Sequence, residues 1–412
     1  MTKISFSTIK RVTLIIVFIL LLQAALTFAI RSLVQGNIPG MDFKMYYTAG
    51  RELIFNDSSP YSDAVAQQNQ LAILKRLARP GEDQMAFSYP LYAMLPVFPT
   101  LSLSFDWAQP FWLSFNLIAL SSALLIAFPK RPLRALLFAL PFYPFVFGLV
   151  LGNLNILVFT IIIATLGLLV FQKQRGTSIQ FIFGILLAWL TIKPQFSWFY
   201  LIFFALYALR EKLRPLMGSF FAGMLIYATI STMIWPTWFP EWLVRLKAYT
   251  TYIQSEPVLL LILKQFFPEQ TVMPLTILIA LIFLGISIYI FIQWWRGKYA
   301  ILPILAWIGL WSYLIGPQSV SYEQLRFFIP LLTWLVLSPR KDAYWWIFGL
   351  GTILVSWGVF VLTKIFPIVP MIDEIRLLYY ILWLLCLLFI SNIFRSPEID
   401  TIAPPNSQHG TN

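Results

Sequence analysis

Four ionisable side chains stand in or beside apolar stretches of this chain, where an unpaired charge costs several kcal/mol. They are Asp42, Lys193, Glu323 and Arg326. Asp42 lies in residues 40–47, soon after the first apolar stretch. A carboxylate in such a setting is suited to general-base catalysis. Aspartate is also a preferred N-cap residue, so a structural role at the start of a helix is equally open.

Lys193 and two asparagines are the next candidates. Lys193 has apolar neighbours and precedes Pro194, which interrupts a helix. Its ammonium group either extends toward the membrane surface or holds a phosphate. Asn153 and Asn155 stand where one apolar stretch ends and the next begins, a place where asparagine ordinarily forms turns and caps. Their amides are also suited to binding sugar hydroxyls.

A late polar segment, residues 316–326, opens another apolar stretch. It contains Tyr322, Glu323, Gln324 and Arg326, and a lipid-facing helix would not favour such residues. A polar run of this kind is typical of the wall of a water-filled cavity. An ion pair between Glu323 and Arg326, three residues apart, is the structural alternative.

No cofactor and no metal ion are expected. The chain has no Walker loop, no dinucleotide glycine fingerprint and no zinc-type histidine pair, which argues against soluble nucleotide-sugar chemistry. Its one histidine, His409, lies in a polar tail, and its one cysteine, Cys386, lies in the last apolar stretch. A disulfide or a cysteine metal site is therefore excluded within the chain. The carboxylates of Asp42 and Glu323 leave a divalent cation open as an alternative.

The elements that must position these residues are membrane spans. Hydrophobic residues make up 59% of the 412 residues and charged residues 11%, against about 25% charged in an average soluble protein. The pattern predicts an all-α polytopic membrane protein with about 12 transmembrane helices. We place the spans near residues 11–31, 108–128, 132–150, 153–171, 178–194, 196–209, 215–235, 274–294, 299–315, 323–338, 343–364 and 376–394.

The basic residues predict the orientation of the spans. With the N-terminus in the cytoplasm, the cytoplasmic segments collect 15 of the 29 lysines and arginines, as the positive-inside rule requires. The net charge of +12 is thereby explained without nucleic acid as a partner. The long segments 32–107 and 236–273 then face the extracytoplasmic side, and the polar tail 396–412 faces the cytoplasm. Every candidate residue belongs to the extracytoplasmic face of a single domain, residues 1–395.

The long outer segments carry their own helical patterns. Residues 63–79 place apolar side chains at positions 65, 71, 74 and 77 beside basic residues, which predicts a helix in the plane of the lipid headgroups. Residues 241–253 are a second interfacial candidate. Residues 88–105 are apolar but short and rich in proline, and we expect a re-entrant segment or a short helix shielded by protein.

Six short motifs, taken in their order along the chain, resemble glycosyltransferase family 87. This family comprises polyprenyl-phosphate-mannose-dependent α-mannosyltransferases of the C-type superfamily. The resemblance covers roughly residues 10–340. The motifs are Asp42, Pro60-Tyr61, Tyr89-Pro90, Gly152 to Asn155, Lys193-Pro194 and Gly316 to Gln324.

The resemblance implies a C-type bundle with interfacial helices on the extracytoplasmic side of the cell membrane. It also implies inverting transfer of a hexose, here mannose, from a polyprenyl-phosphate donor to a glycolipid or glycan acceptor. Asp42 stands in the place of the catalytic base. The family often has histidines where this chain has Gln324, and Arg326 could supply the charge instead. The implied substrate-binding residues are Tyr89, Asn153, Asn155, Lys193, Tyr322, Glu323, Gln324 and Arg326.

Two other functions fit the same residues. A transporter or flippase of a lipid-linked sugar would also use intramembrane charges and interrupted helices, although its halves should match. A non-catalytic membrane subunit with the same fold is the third possibility. The enzyme hypothesis predicts that Asp42, Lys193 and Arg326 converge on one cavity open to lipid.

Overall fold

Helices form the whole architecture in the part of the chain that the structure describes, and no strand occurs there. The structure is a computed structural model, and it describes residues 6–34, 40–252, 256–315, 321–337 and 342–365. The predicted last span at 376–394 and the tail 396–412 lie outside these residues. The α-helices are α1 Phe6–Val34, α2 Met41–Phe55, α3 Asp63–Leu74, α4 Phe105–Ala127, α5 Pro132–Ala139, α6 Tyr143–Leu151, α7 Asn155–Thr165, α8 Thr177–Trp189, α9 Pro194–Arg210, α10 Arg214–Ile234, α11 Trp238–Tyr252, α12 Val258–Phe266, α13 Glu269–Trp295, α14 Ile301–Leu314, α15 Leu325–Leu337 and α16 Asp342–Ile365.

The spans predicted within the described residues are helical, but not each is one α-helix. The span predicted at 132–150 is divided into α5 and α6, and those at 153–171 and 178–194 end in a π turn and a 3₁₀ turn. Four of these helices are long and apolar enough to cross a membrane by themselves: α1, α4, α10 and α13. The pair α5 and α6 passes the same test jointly but bends by 72° at a short break, and it makes a fifth candidate. The other apolar helices do not pass this test by themselves, so a total of about 12 spans stays a prediction.

The longest apolar helices expose their side chains. Only 6% of the most apolar stretch of α13 and 11% of that of α1 is buried. Leaving this much contiguous apolar surface in water would be strongly unfavourable, because each square ångström costs about 25 cal/mol. Several helices could therefore span a membrane, which is consistent with a membrane protein.

The chain divides into two compact units. The first comprises Met1–Ser121, Leu149–Leu154 and Trp235–Tyr252. At its centre, α2 buries one aromatic face, where Phe43 stacks on Trp112 with 5.4 Å between ring centroids and on Phe105 with 6.0 Å. Stacked rings at these distances stabilise the core beyond their buried area. The start of α2 is thereby fixed by side-chain packing.

The outer segment of this unit corrects one prediction. The helix expected over residues 63–79 ends at Leu74, because Lys75 takes a left-handed backbone conformation with φ of 61°. Its apolar residues do not share one face either, since Val65 is buried while Leu71 and Leu77 are exposed. Residues 88–105 contain two short 3₁₀ turns, Leu91–Met94 and Phe98–Thr100, and the first is fully buried, as the shielded short helix predicts.

The second unit comprises Ser122–Gly148, Asn155–Ile234 and Ile253–Asn412. Its helices α8 and α10 lie very close together, since a Cβ added at Gly184 would lie 1.8 Å from Oγ of Ser219. Small residues at helix contacts allow such an approach inside a membrane. Helix α15 is buried over nearly its whole length. Glu323 and Gln324, directly before α15, are buried as well.

Candidate functional site

Asp42 lies in the first turn of α2, but it is not the N-cap. The cap position belongs to Gly40, and Asp42 is the second residue of the helix. The N-cap alternative is therefore wrong in detail. A carboxylate in the first turn still interacts favourably with the helix dipole and the first backbone N–H groups. Asp42 is half-buried at this position.

The side chain of Asn153 orients the Asp42 carboxylate. Its Nδ2 donates a hydrogen bond of 2.6 Å to Oδ2 of Asp42. The turn that carries Asn153 needs glycine at position 152, where φ is 72° and a Cβ would lie 2.6 Å from that of Phe43. Nε1 of Trp112 donates to the carbonyl of Gly152 at 2.9 Å. The turn at Gly152 and its hydrogen bond to Trp112 thus place the Asn153 amide against the Asp42 carboxylate.

An aromatic wall continues from Asp42 along α2. Tyr46, one helical turn later, meets the edge of Tyr89 at 5.5 Å and of Phe87 at 6.3 Å between centroids. Tyr61 lies against Phe87 at 5.5 Å and donates from its hydroxyl to the carbonyl of Tyr89 at 3.0 Å. The predicted residue Tyr89 therefore belongs to the same unit as Asp42 and shares this wall.

Lys44 is a charged neighbour that the sequence interpretation left out. Its Nζ lies 4.2 Å from the ring centroid of Phe105, within cation–π range. Burial, together with repulsion from Arg51, lowers the pKa of Lys44 from its ordinary value, while the charge of Asp106 opposes the change. Its position two residues after Asp42 was the available signal, because the two residues share the first turn of α2.

In the second unit, Glu323 bridges two buried cations. Its Oε1 lies 3.4 Å from Nζ of Lys193, and its Oε2 lies 3.1 Å from Nη2 of Arg326. All three side chains are buried. The ion pair three residues apart that the sequence suggested is present, and Lys193 joins it. Lys193 therefore does not extend toward the membrane surface.

The guanidinium group of Arg326 is directed to protein oxygens. Nη1 donates to the carbonyls of Gln195 at 2.8 Å and Ser312 at 3.0 Å, and Nε donates to the carbonyl of Glu323 at 3.2 Å. A direct bond from Arg326 to a donor phosphate would require exchanging these buried bonds. These bonds favour a role for Arg326 in holding Glu323, and direct phosphate binding by Arg326 stays a prediction.

Gln324 combines full burial with an unused amide. Neither its side-chain oxygen nor its nitrogen has a hydrogen-bond partner in the described ranges. A buried polar group left without a partner costs about 1–3 kcal/mol, so its retention calls for a reason. Beside it, the half-buried ring of Tyr322 lies 5.0 Å from Nζ of Lys193. Asn155, at the first position of α7, is also fully buried.

Comparisons with protein-family models, curated proteins and solved structures find no match.

An apolar groove lies between α9, α13 and α14 of the second unit. Its volume is about 440 Å³, and its lining is aromatic and aliphatic, including Trp198, Phe199, Trp307 and Trp311. Helix α9 begins directly after Lys193. Several lining residues, Trp198 among them, are exposed on the apolar surface of the unit. A groove of this composition suits a hydrocarbon chain.

The structure brings the predicted residues together in two groups. Asp42, Asn153 and Tyr89 belong to the first unit, and Asn155, Lys193, Tyr322, Glu323, Gln324 and Arg326 belong to the second. The convergence of Asp42 with Lys193 and Arg326 on one cavity stays a prediction. Trp112 carried no signal in the sequence, because only the fold puts its indole against the turn at Gly152.

Proposed function

We propose that this chain is an integral-membrane glycosyltransferase that transfers a hexose, mannose by the family resemblance, from a polyprenyl-phosphate donor to a glycolipid or glycan acceptor. One observation carries the proposal. Asp42 is a carboxylate in a helix first turn, oriented by an amide whose own loop is fixed by Gly152 and Trp112. Preorganisation of this kind is what a general base requires.

In the proposed reaction, Asp42 accepts the proton of an acceptor hydroxyl. The hydroxyl oxygen attacks the anomeric carbon from the face opposite the phosphate, and the carbon–oxygen bond to the phosphate breaks with its electron pair. The configuration at the anomeric carbon inverts. The departing polyprenyl phosphate has a second pKa near 6, so it leaves without a general acid. One carboxylate is therefore sufficient, where glycosidases use two.

The donor is assigned to residues of the second unit. The ammonium group of Lys193 is proposed to stabilise the negative charge of the departing phosphate. Its fixed position in surroundings of low dielectric constant strengthens this stabilisation. Glu323 and Arg326 are proposed to position Lys193, and the support is the 3.4 Å ion pair of Lys193 with Glu323 and the 3.1 Å ion pair of Glu323 with Arg326. The amide of Gln324 is proposed to bind a sugar hydroxyl. The isoprenoid chain is assigned to the apolar groove between α9, α13 and α14.

The finer architecture is part of the same proposal. We assign the chain a C-type glycosyltransferase fold of about 12 spans in the cell membrane, with both termini in the cytoplasm and the long outer segments outside. The exposed apolar helices α1 and α13 support the membrane part of this assignment. The distribution of lysine and arginine supports the orientation.

The test is sugar transfer by the purified chain in proteoliposomes. A panel of polyprenyl-phosphate sugars is supplied with a membrane glycan extract, and products are identified by mass spectrometry. The proposal expects one donor to give a glycosylated product with inverted configuration. Movement of the intact sugar lipid between leaflets without product would identify a flippase instead. Absence of both activities with every donor would remove the transferase.

A further inference from the structure

A cavity in the first unit has no role among the residues assigned above to the donor and to the general base. Its volume is about 520 Å³, within the range of ligand pockets. It lies between the turn that precedes α3 and one face of α11. The residues that line it are Ser59, Tyr61, Ser62, Pro240, Glu241, Val244 and Arg245.

Two opposite charges line this cavity without pairing. Glu241 and Arg245 are four residues apart on α11, a spacing at which such side chains commonly form an ion pair. Here the carboxylate of Glu241 instead accepts hydrogen bonds from Ser59, Thr237 and Trp235. Burial works to raise the pKa of Glu241, but these three hydrogen bonds outweigh it and lower the pKa below its ordinary value. The carboxylate is thereby held charged and immobile.

Arg245 is fixed from the other side. Its Nε donates to the carbonyl of Tyr61 at 3.0 Å, and its Nη2 donates to that carbonyl and, at 2.8 Å, to Asp63. Its side chain is only 14% exposed. Ser62 accepts from the backbone N–H of Val65 at 3.3 Å and caps α3. Each polar group of the wall is therefore positioned by the protein itself.

These fixed groups keep hydrogen-bonding capacity. Within the described residues, Nη1 of Arg245 has no acceptor, and the hydroxyl hydrogen of Ser62 has none either. The Glu241 carboxylate offers about four lone-pair sites and uses three. The cavity thus presents two or more donors and one acceptor in a rigid arrangement.

The charges disfavour an anionic ligand. Asp63 balances Arg245, so an added phosphate or carboxylate would face Glu241 without a spare cation. The remaining walls, from Tyr61, Pro240 and Val244, are apolar. Alternating hydroxyls and apolar C–H faces are the chemistry of a pyranose ring, which matches both kinds of wall.

We propose that this cavity binds a neutral saccharide unit of the acceptor glycan. This role depends on the proposed function, since it makes the cavity an acceptor subsite of the transferase. The aromatic wall connects the cavity to Asp42. Tyr61, which lines the cavity, contacts Phe87, and Phe87 contacts Tyr46, one helical turn from Asp42. The cavity would hold an inner saccharide unit of the acceptor, and this unit is separate from the sugar residue whose hydroxyl reacts.

The experiment measures binding without donor, in the Asp42→Asn background. The probes are maltose, cellobiose and α-1,6-mannobiose, with glucuronic acid as the anionic comparison, and binding is followed by saturation-transfer NMR. Val244→Trp fills the cavity from a side chain that is 72% exposed, so it should fold. Leu243→Trp, on the neighbouring exposed position of α11, is the matched control.

We expect at least one neutral disaccharide to bind. Its affinity should fall at least roughly tenfold in Val244→Trp and stay unchanged in Leu243→Trp. Absence of binding by all three, equal binding in Val244→Trp, or a preference for glucuronic acid would overturn the proposal. In the active chain, Val244→Trp should raise the acceptor KM and leave the donor KM unchanged. Transfer with an unchanged acceptor KM would keep the transferase and remove the subsite. Binding that Val244→Trp abolishes, without any transfer, would keep the cavity and remove the transferase.

Discussion

Replacing Glu323 by Gln tests the buried charge cluster of the second unit. The substitution keeps the shape of the side chain and removes the one negative charge that bridges Lys193 and Arg326. The side chain of Glu323 is 9% exposed, those of its partners 4% and 0%. Removing it leaves two cations together in a protein interior.

The distances set the size of the effect. At an effective dielectric constant of about 20, unit charges 3.4 Å and 3.1 Å apart each interact by about 5 kcal/mol. Desolvation offsets much of this attraction in the intact cluster. Breaking a buried pair by removing one partner costs about 3–5 kcal/mol, and we expect Glu323→Gln to lower the free energy of unfolding by that amount.

The assay is unfolding in mixed detergent micelles, with the free energy obtained from titration with a denaturing detergent. Glu211→Gln is the matched control. Glu211 also lies 3.1 Å from a guanidinium nitrogen, that of Arg175, but these side chains are 33% and 32% exposed. Because solvent screens that pair, the control should lose at most about 1 kcal/mol.

Adding Lys193→Met to Glu323→Gln should recover part of the loss, because only Arg326 then stays charged and three backbone carbonyls solvate it. A coupling energy of about 0.5–3 kcal/mol is expected from the double-variant cycle. If Glu323→Gln were no more destabilising than Glu211→Gln, or if the two changes were simply additive, the burial argument would be refuted.

Three further predictions follow from single residues. Gln324→Met should leave stability unchanged or raise it by up to about 3 kcal/mol, because it removes an unsatisfied amide, while the donor KM rises; a parallel loss of stability in the micelle assay would contradict this. Gly152→Ala should reduce sugar transfer, because the added Cβ would force the turn away from α2. Gly218→Ala is the control, since Gly218 has open space around it, and it should transfer sugar at the wild-type rate. Equal transfer rates in the two variants would refute the close approach of Gly152 to α2. The hydrogen bond from Arg76 lowers the pKa of Glu82 to about 2. The Arg76–Glu82 ion pair therefore stabilises its loop fully above about pH 4.5, and this stabilisation is lost as pH falls toward 2. Carboxyl NMR titration of Glu82 should show that midpoint, and Arg76→Gln should move it upward; an unmoved midpoint would contradict the assignment.

Hydropathy predicted the helices, because apolar runs have few alternatives in a membrane. The predicted spans in the described residues are helical, although the one at 132–150 is two helices, and the predicted short shielded helix corresponds to the buried turn Leu91–Met94. The interfacial helix was predicted too long. The helix ends because Lys75 adopts a left-handed backbone conformation, which no residue type in this part of the sequence predicts.

The candidate site was predictable in residue type and less so in role. Asp42 and Glu323 were chosen because charge in apolar surroundings needs a partner, and both have one. The surroundings of Arg326 were only partly predictable. The sequence suggests its ion pair with Glu323, but other donors of Arg326 bond to the carbonyls of Ser312 and Gln195, which are 14 and 131 positions away along the chain. Contacts over such separations are invisible to spacing arguments.

The central claim is that Asp42 is the general base, and Asp42→Asn tests it most directly. The measurement is the rate of sugar transfer from a polyprenyl-phosphate donor in proteoliposomes. Asp106→Asn is the control, because Asp106 is also the second residue of a helix, α4, and is exposed. We expect kcat to fall roughly 10²- to 10⁴-fold in Asp42→Asn with donor binding retained, and to stay unchanged in Asp106→Asn. Transfer at the wild-type rate by Asp42→Asn would contradict this claim.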